Sequence, residues 1–188
     1  MKILHYLSVY VVLMTLAAGN VMAEEIRVVV ASNFTDAIRE IAGRFEMKTQ
    51  HKVSVISGST GKHYAQISNG APFDVFFAAD VKRPELLEQQ GLALPGSRFT
   101  YAVGKIVLWS PDQDYIDTSA NVLKQGKFNH LSIANPKLAP YGRAAQQVLK
   151  KLGLWNKLQG RMVRGENIGQ AFQFVKSGNA RLGFVAFS

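Results

Sequence analysis

Apolar runs of strand length alternate with amphipathic stripes along this sequence, and this alternation limits the fold more than any other feature. Residues 26–31 (IRVVVA) are continuously apolar, as expected of a strand that is buried on both faces. Apolar residues then recur at helical spacing over residues 34–45, and Asn33 and Asp36 have the spacing of a capping box. The pattern therefore predicts a strand followed at once by a helix.

The same unit of strand and helix recurs towards the end of the chain. Further strands are predicted at residues 53–57, 73–79, 131–135, 161–165 and 182–188. The first four of these are followed by helical patterns over residues 63–69, 84–91, 145–152 and 168–175. Residues 99–109 are predicted as a longer extended segment, broken at Gly104, that connects two lobes. Strands that alternate with helices predict an α/β fold with doubly wound parallel sheets.

The two ends of the sequence carry separate signals. Residues 1–23 have one charge, Lys2, before a short apolar stretch that ends in Val-x-Ala, which is typical of a cleaved secretory signal rather than of a membrane span. At the other end, an apolar strand runs into Ser188 with no polar segment after it. Because this is an unusual place for a chain to finish, we expect the C-terminal part, and with it part of the first lobe, to be missing.

Charge and cysteine content exclude several classes of function. The chain has 22 Lys and Arg against 13 Asp and Glu, and it has no cysteine. The basic residues are scattered, with no run longer than Lys150-Lys151, which argues against nucleic-acid binding and for a mild attraction to anions. The absence of cysteine excludes disulfides, thiolate metal sites, a thiol nucleophile and a lipid-carrying cysteine. We therefore expect a soluble exported protein.

Polar residues stand at four predicted strand-to-helix turns, which is where an open parallel sheet binds its ligands. The turns are Ser32-Asn33, residues 58–61, residues 135–142 and residues 165–168. They offer hydroxyls, side-chain amides and the free N–H groups of helix N-termini, all of which donate without carrying a full charge. Such donors suit an oxyanion held out of water. Each turn taken alone is also typical of an ordinary helix cap.

Nucleotide and metal motifs do not match the spacing of the residues. Gly61-Lys62 is similar to part of a P-loop, but Ile56 stands where that motif needs glycine and His63 where it needs Ser or Thr. The four histidines match no zinc pattern. We expect them at the surface: His5, His51, His63 and His130.

A serine hydrolase is the enzymatic alternative. It would use Ser59 or Ser32 as the nucleophile, with His63 or Asp80 as the base. A nucleophile elbow needs glycine two residues before the serine, and Ser57 stands there before Ser59. We therefore expect no enzymatic activity.

Six segments of the sequence, together with the exported start, carry a resemblance to a known family. They are VVVASNF at 28–34, SGSTGK at 57–62, APFDVFFAAD at 71–80, NPKLAPYGRAA at 135–145, GENI at 165–168 and LGFVA at 182–186. In this order they resemble the periplasmic molybdate-binding components of ABC transporters. The resemblance covers essentially all of the chain after the signal peptide.

The resemblance implies a type II periplasmic binding protein, in which two doubly wound lobes joined by hinge strands close on molybdate or tungstate. In the first lobe, Ser32 and Ser59 would bind the anion through hydroxyl and backbone N–H groups, with Asn33 beside Ser32. In the second lobe, Tyr141 and Ile168 match positions that contact the anion, Ile168 through its backbone N–H. Molybdenum would be bound only as molybdate, with no metal coordinated directly and no cofactor.

The resemblance also implies an organisation and partners. The implied segments are a signal peptide at 1–23, an incomplete first lobe at 24–103, a second lobe at 104–182 and the start of a return crossover to the first lobe at 183–188. The protein would be a periplasmic monomer that delivers its ligand to an ABC permease in the inner membrane. Sulfate, thiosulfate or another small oxyanion is the alternative ligand on the same scaffold.

Selectivity is expected to depend on the size of the anion. A rigid ring of neutral donors spaced for molybdate oxygens would hold sulfate loosely, and protonated phosphate would bring a proton that finds no acceptor. Carboxylates should therefore stay out of the inner shell, and we expect the Glu166 side chain to point out of the cleft. Some relatives supply a tyrosine from the last strand, where this chain has Ala186, so any phenolic hydrogen bond is assigned to Tyr141.

Overall fold

The computed structural model describes residues 25–117 and 119–187, so the predicted signal peptide lies outside the described residues. The strands are β1 (Glu25–Ala31), β2 (Lys52–Gly58), β3 (Val75–Phe77), β4 (Ile106–Trp109), β5 (Leu131–Ala134), β6 (Met162–Gly165) and β7 (Leu182–Ala186). The α-helices are α1 (Thr35–Thr49), α2 (Thr60–Ser68), α3 (Lys82–Gln89), α4 (Asn121–Gln125), α5 (Pro140–Lys151), α6 (Trp155–Leu158) and α7 (Ile168–Lys176). The predicted α/β alternation is confirmed. Within these ranges, no helix combines the length and apolar character that a membrane span needs.

The strands form two sheets, and we call the part built on β1–β3 the first lobe and the part built on β4–β7 the second lobe. The first sheet is parallel, in the order β2, β1, β3. β1 lies in the centre because its apolar run can be buried on both faces, and Val29 and Val30 have no exposed surface. β3 is shorter than the predicted strand at 73–79, and beyond its C-terminal end the Ala79 N–H donates to the Thr60 hydroxyl at 3.0 Å rather than to a neighbouring strand.

The junction between β1 and α1 differs from the prediction. A 3-10 turn at Ser32–Phe34 separates the strand from the helix, so α1 begins after Asn33. The predicted capping box of Asn33 and Asp36 is therefore wrong, and neither N-cap position makes a side-chain capping bond. Instead, the Thr35 hydroxyl donates to the carbonyl of Ser32 at 3.1 Å. This turn sets where the first predicted ligand residues lie.

The second sheet has the order β4, β7, β5, β6, and β4 runs antiparallel to the other three strands. The prediction of wholly parallel sheets is wrong at β4, because this strand follows an irregular connection rather than the crossover helix that makes successive strands parallel. Residues 183–186, which were predicted to begin a return crossover, lie in β7 inside this sheet. The domain boundary expected after residue 182 thus falls within a strand.

Residues 99–105 connect the lobes without regular structure, so only Ile106–Trp109 of the predicted extended segment forms a strand. Side-chain contacts hold this connection to the first lobe in place of a backbone ladder. The Tyr101 hydroxyl donates to the Ala78 carbonyl at 2.7 Å, and its ring lies 4.9 Å from that of Phe34 and 5.2 Å from that of Phe77.

Candidate functional site

The two predicted ligand serines follow paired positions of adjacent strands. Ala31, the last residue of β1, pairs in register with Gly58, the last residue of β2. Ser32 and Ser59 come directly after these residues and leave the sheet from neighbouring points, because paired strands lie about 4.8 Å apart. The sheet therefore places both serines at the same edge, at the carboxyl ends of its strands.

Both serine hydroxyls accept a backbone N–H. Ser59, which is 2% exposed, caps α2 by accepting from the Lys62 N–H at 3.3 Å. Ser32 accepts from the N–H of Gly169, in the second lobe, at 3.0 Å. A hydroxyl that accepts in this way keeps its own hydrogen for donation. Each serine can therefore offer one O–H to a bound anion.

The second lobe contributes the start of α7 to the same place. Ile168 is the first residue of this helix and is 4% exposed, and Asn167 caps the helix by accepting from the Gln170 N–H at 2.9 Å. Because Ser32 contacts Gly169, the structure brings Ser32 and the Ile168 turn together across the two lobes. The N–H groups of a first helical turn have no partner within the helix and can donate outwards.

Tyr141 lies in the first turn of α5 and packs in the same apolar cluster as Ile168. Its hydroxyl lies so close to Gly104 that a Cβ on Gly104 would overlap it. Burial raises the pKa of Tyr141, and burial together with the neighbouring Tyr141 raises the pKa of Tyr101 to about 12. Both phenols are therefore neutral donors at neutral pH.

A cavity of about 1310 Å³ opens beside the site and is lined mainly by apolar side chains of the first lobe and the connection. Asn33 and Tyr141 belong to its lining, whereas Ser32, Ser59 and Ile168 do not. The cavity is much larger and more apolar than a tetrahedral oxyanion requires. Of the five predicted ligand residues, the structure thus joins Ser32 to the Ile168 turn and packs Tyr141 with Ile168, and it places Asn33 and Tyr141 on the cavity wall.

The formal charges around the serine turns are paired. Lys62 Nζ donates to Glu166 Oε2 at 3.2 Å, so the Glu166 carboxylate forms an ion pair with the first lobe. Arg83 Nη1 donates to Asp80 Oδ2 at 2.6 Å, and Arg143 lies 4.0 Å from the same oxygen. The donors that remain at the serine turns are neutral groups.

The bases that a hydrolase would need are engaged elsewhere. His63 is 2% exposed, so its expected surface position is wrong. Its Nδ1 pairs with Gln66 Oε1 at 3.1 Å, and its ring lies edge-on to those of Phe73 and Phe76. The ring is buried because it fills the space beside Gly58, where a Cβ would lie 2.7 Å from His63 Nε2. Asp80 is held by Arg83.

Within the described residues, no group of three or more His, Cys, Asp or Glu side chains could hold a metal ion.

Sequence reasoning missed a second set of contacts between the lobes. The Gly61 N–H donates to the Leu138 carbonyl at 2.8 Å, and Arg83 Nη2 donates to the Lys137 carbonyl at 3.2 Å. The interacting residues are more than fifty positions apart in the chain, and both acceptors are backbone carbonyls, which carry no side-chain signal. Nothing in the local sequence could have indicated these bonds.

Comparisons with known proteins identify relatives over most of the chain. A family model described as "Bacterial extracellular solute-binding protein" matches residues 26–188. The molybdate-binding protein ModA of Azotobacter vinelandii is 56% identical over 92% of this chain and 69% of its own length. That of Rhodobacter capsulatus is 48% identical over 92% of this chain and 66% of its own length. The chain thus spans about two thirds of the length of these relatives.

Solved structures share the fold. The periplasmic molybdate-binding protein of Azotobacter vinelandii matches with a TM-score of 0.82 at 52% identity, over 86% of this chain and 71% of that chain. The sulfate-binding protein SubI of Mycobacterium tuberculosis matches with a TM-score of 0.65 at 13% identity, over 87% of this chain and 64% of that chain, which is a likeness of fold alone. The predicted fold of two α/β lobes, as in periplasmic binding proteins, is confirmed.

Proposed function

We propose that this chain, which belongs to the bacterial extracellular solute-binding protein family, captures molybdate or tungstate between its lobes in the periplasm and delivers it to an ABC permease. Its relatives in Azotobacter vinelandii and Rhodobacter capsulatus are molybdate-binding proteins. The chain would act as a monomer and would catalyse no reaction. Sulfate or another small oxyanion is the alternative ligand, and titration with each anion separates it from molybdate.

The observation that carries this proposal is the state of the two serine hydroxyls. Ser32 and Ser59 leave the sheet from paired positions, and each uses its oxygen to accept a backbone N–H. Their hydrogens are left for an external acceptor, and a dianion held between the lobes supplies several. Hydrogen bonds to a charged group contribute about 1.5–3 kcal/mol each. Two such bonds, added to the N–H groups of the turns, support tight capture of a small oxyanion.

Ile168, Tyr141 and Asn33 complete the proposed site on the strength of the family resemblance. The Ile168 N–H would donate from the first turn of α7, where the helix dipole also favours an anion. Tyr141 would donate through its neutral phenol, since burial keeps the pKa of this group above its ordinary value. Asn33 follows Ser32 in the 3-10 turn and would donate through its amide.

The paired charges support a mechanism of selection by size rather than by net charge. At the serine turns of the described residues, Lys62 is bonded to Glu166 and Arg83 to Asp80, so the charges of these two cations are balanced locally. Neutral donors at fixed positions form good hydrogen bonds only with oxygens at matching distances, and bonds weaken steeply when they are stretched. A smaller tetrahedral anion would therefore meet fewer of the donors.

Isothermal titration calorimetry on the full chain tests the proposal. We expect heat on addition of molybdate or tungstate and a much weaker response to sulfate. If the chain binds sulfate and not molybdate, sulfate is the ligand. If none of the three anions gives a heat of binding, the proposal that the chain captures an oxyanion is refuted.

Substitution of Ser59 tests the site itself. Ser59→Ala removes one donor and should weaken molybdate binding by about 1–3 kcal/mol. Ser132→Ala is the matched control, because Ser132 is also buried but donates its hydroxyl to the Ala171 carbonyl at 2.8 Å inside the second lobe. The control should lower the stability of the fold and leave the affinity unchanged. Equal affinity losses in the two variants would contradict the proposed role of Ser59.

A further inference from the structure

A contact between the lobes lies beside the proposed ligand site and involves none of the five proposed ligand residues. The loop between β5 and α5 lies against the start of α2 and against Arg83 of the first lobe. The Gly61 N–H donates to the Leu138 carbonyl at 2.8 Å, and Arg83 Nη2 donates to the Lys137 carbonyl at 3.2 Å. We call these two bonds the interlobe clasp.

The first lobe holds the Arg83 side chain in position independently of the second lobe. Asp80 Oδ1 accepts from the Arg83 backbone N–H at 3.0 Å, and Asp80 Oδ2 accepts from Nη1 at 2.6 Å. Arg83 is 9% exposed. One side of the planar guanidinium is therefore committed to Asp80, and Nη2 is aimed at the carbonyl of Lys137. An arginine fork can make both bonds at once, whereas a lysine ammonium lacks the second fixed direction.

Gly61 allows the close approach of the two lobes at this point. A Cβ on Gly61 would lie 2.6 Å from the Leu138 carbonyl oxygen and 2.8 Å from Arg83 Nη2. Any side chain here must push the second-lobe loop or the guanidinium away. Gly61 is two residues after Ser59, so the clasp closes directly beside the turn that carries this serine.

We propose that Arg83, oriented by Asp80, is a positioning residue that holds the lobes closed over the bound anion and thereby sets the rate of its release. This inference rests on the proposed function. Both bonds of the clasp join the two lobes, so they stabilise the closed state and not an open one. Their loss should accelerate dissociation and leave the rate of capture unchanged, because capture begins from the open state.

The kinetic test compares Arg83→Lys with Arg98→Lys. The lysine retains the charge beside Asp80 but removes the directed donor to the Lys137 carbonyl. Arg98 pairs with Glu88 at 2.8 Å within the first lobe and is the matched control. Dissociation of radioactive molybdate from the full chain, chased with unlabelled molybdate, should be about 5- to 30-fold faster for Arg83→Lys and unchanged for Arg98→Lys. Equal dissociation rates in the two variants would overturn the inference.

A distance measurement tests the clasp without any ligand. Because the chain has no cysteine, spin labels can be placed at Lys52→Cys in the first lobe and Lys150→Cys in the second, both of which are exposed. Gly61→Ala should shift the label-to-label distances to longer values in pulsed electron resonance, and Gly43→Ala, at a position with open space, should not. An unchanged distribution in Gly61→Ala would overturn the clasp. If the unsubstituted chain fails to bind molybdate, the proposed function is refuted instead. The distance result and the binding result therefore test the two proposals separately.

Discussion

The two lobes bury different kinds of side chain. In the second lobe, eleven buried apolar residues form one cluster, whereas the corresponding cluster described in the first lobe has three: Val28, Val30 and Ile38. The first lobe instead buries polar and charged side chains next to the proposed site, namely Ser59, Thr60, His63 and Arg83. The second lobe is therefore the stable support, and the first lobe carries the buried polar groups beside the proposed site.

The apolar surface that stays exposed follows the same division. Of the twelve large apolar side chains that are exposed in the described residues, ten lie before residue 104. The stripe of α1 is an example: Ile38 is buried, but Ile41 is 51% exposed and Phe45 is 39% exposed. A helix normally turns such a stripe to a core. In the first lobe, the sequence therefore places more large apolar side chains at core-type positions than the described residues bury.

The largest expected effect distinguishes the cores of the two lobes. Leu149→Ala removes a fully buried side chain from the second-lobe cluster and should lower the free energy of unfolding by about 2–5 kcal/mol. Leu152→Ala, three residues later and 46% exposed, is the control in the same lobe. Ile41→Ala in the first lobe should change stability by about 0.5 kcal/mol or less. Urea titration followed by circular dichroism measures all three. If Ile41→Ala costs as much as Leu149→Ala, the division between the lobes is wrong.

The next effect concerns the connection between the lobes. Gly104→Ala places a methyl group where the Tyr141 hydroxyl lies, and such overpacking should cost about 1–3 kcal/mol of stability. Tyr141→Phe removes the overlapping oxygen, so adding it to Gly104→Ala should recover most of that loss. Thermal unfolding of both single variants and the double variant measures the coupling. Additive losses would show that the methyl group and the hydroxyl do not meet.

Local patterns predicted most of the fold, because strands and helices here are set by residues close together in the chain. The apolar runs at 26–31, 131–135 and 161–165 coincide with strands to within a residue or so. The end of the strand predicted at 73–79 could not be predicted, because it depends on contacts with distant parts of the chain, and beyond it the Ala79 N–H donates to the hydroxyl of Thr60. The interior position of β7 likewise depends on which strands pair, and not on its own sequence.

The candidate site shows the same limit. Turns that follow strands are visible as local motifs, so the positions of Ser32, Ser59 and Ile168 at strand-to-helix turns could be predicted from the sequence, while their binding role remains a prediction. The role of Arg83 could not, because its partner is a backbone carbonyl 54 positions away in the other lobe. The burial of His63 was missed for a related reason. Its position depends on the space beside Gly58 and on the rings of Phe73 and Phe76.

A smaller effect should appear as a dependence of stability on pH that originates in the first lobe. Burial lowers the pKa of His63 in the folded chain, with smaller opposing contributions led by the hydrogen bond to Gln66. The unfolded chain then binds more protons than the folded chain below the pKa of an unfolded histidine, about 6.5. Stability is therefore fully present above this pH and decreases as the pH falls through it. His63→Asn should flatten the profile between pH 7 and pH 5, and His130→Asn, at an exposed site of the second lobe, should not. Parallel profiles for the original chain and His63→Asn would contradict this origin.

The smallest expected effect belongs to the exposed ion pair that crosses between the lobes. Lys62 and Glu166 are 53% and 39% exposed in their side chains, and pairs of this kind contribute about 0.2–1 kcal/mol. A double-mutant cycle with Lys62→Met and Glu166→Gln should give coupling in molybdate affinity, because the pair joins two lobes that close on the ligand. The Arg98–Glu88 pair lies within the first lobe, so its cycle should give coupling in stability and none in affinity. Raising the salt concentration should reduce the first coupling, since exposed charges are screened. Coupling in affinity for both pairs would mean that the first lobe does not act as one rigid unit, and the division between a stable second lobe and a polar first lobe would then be wrong.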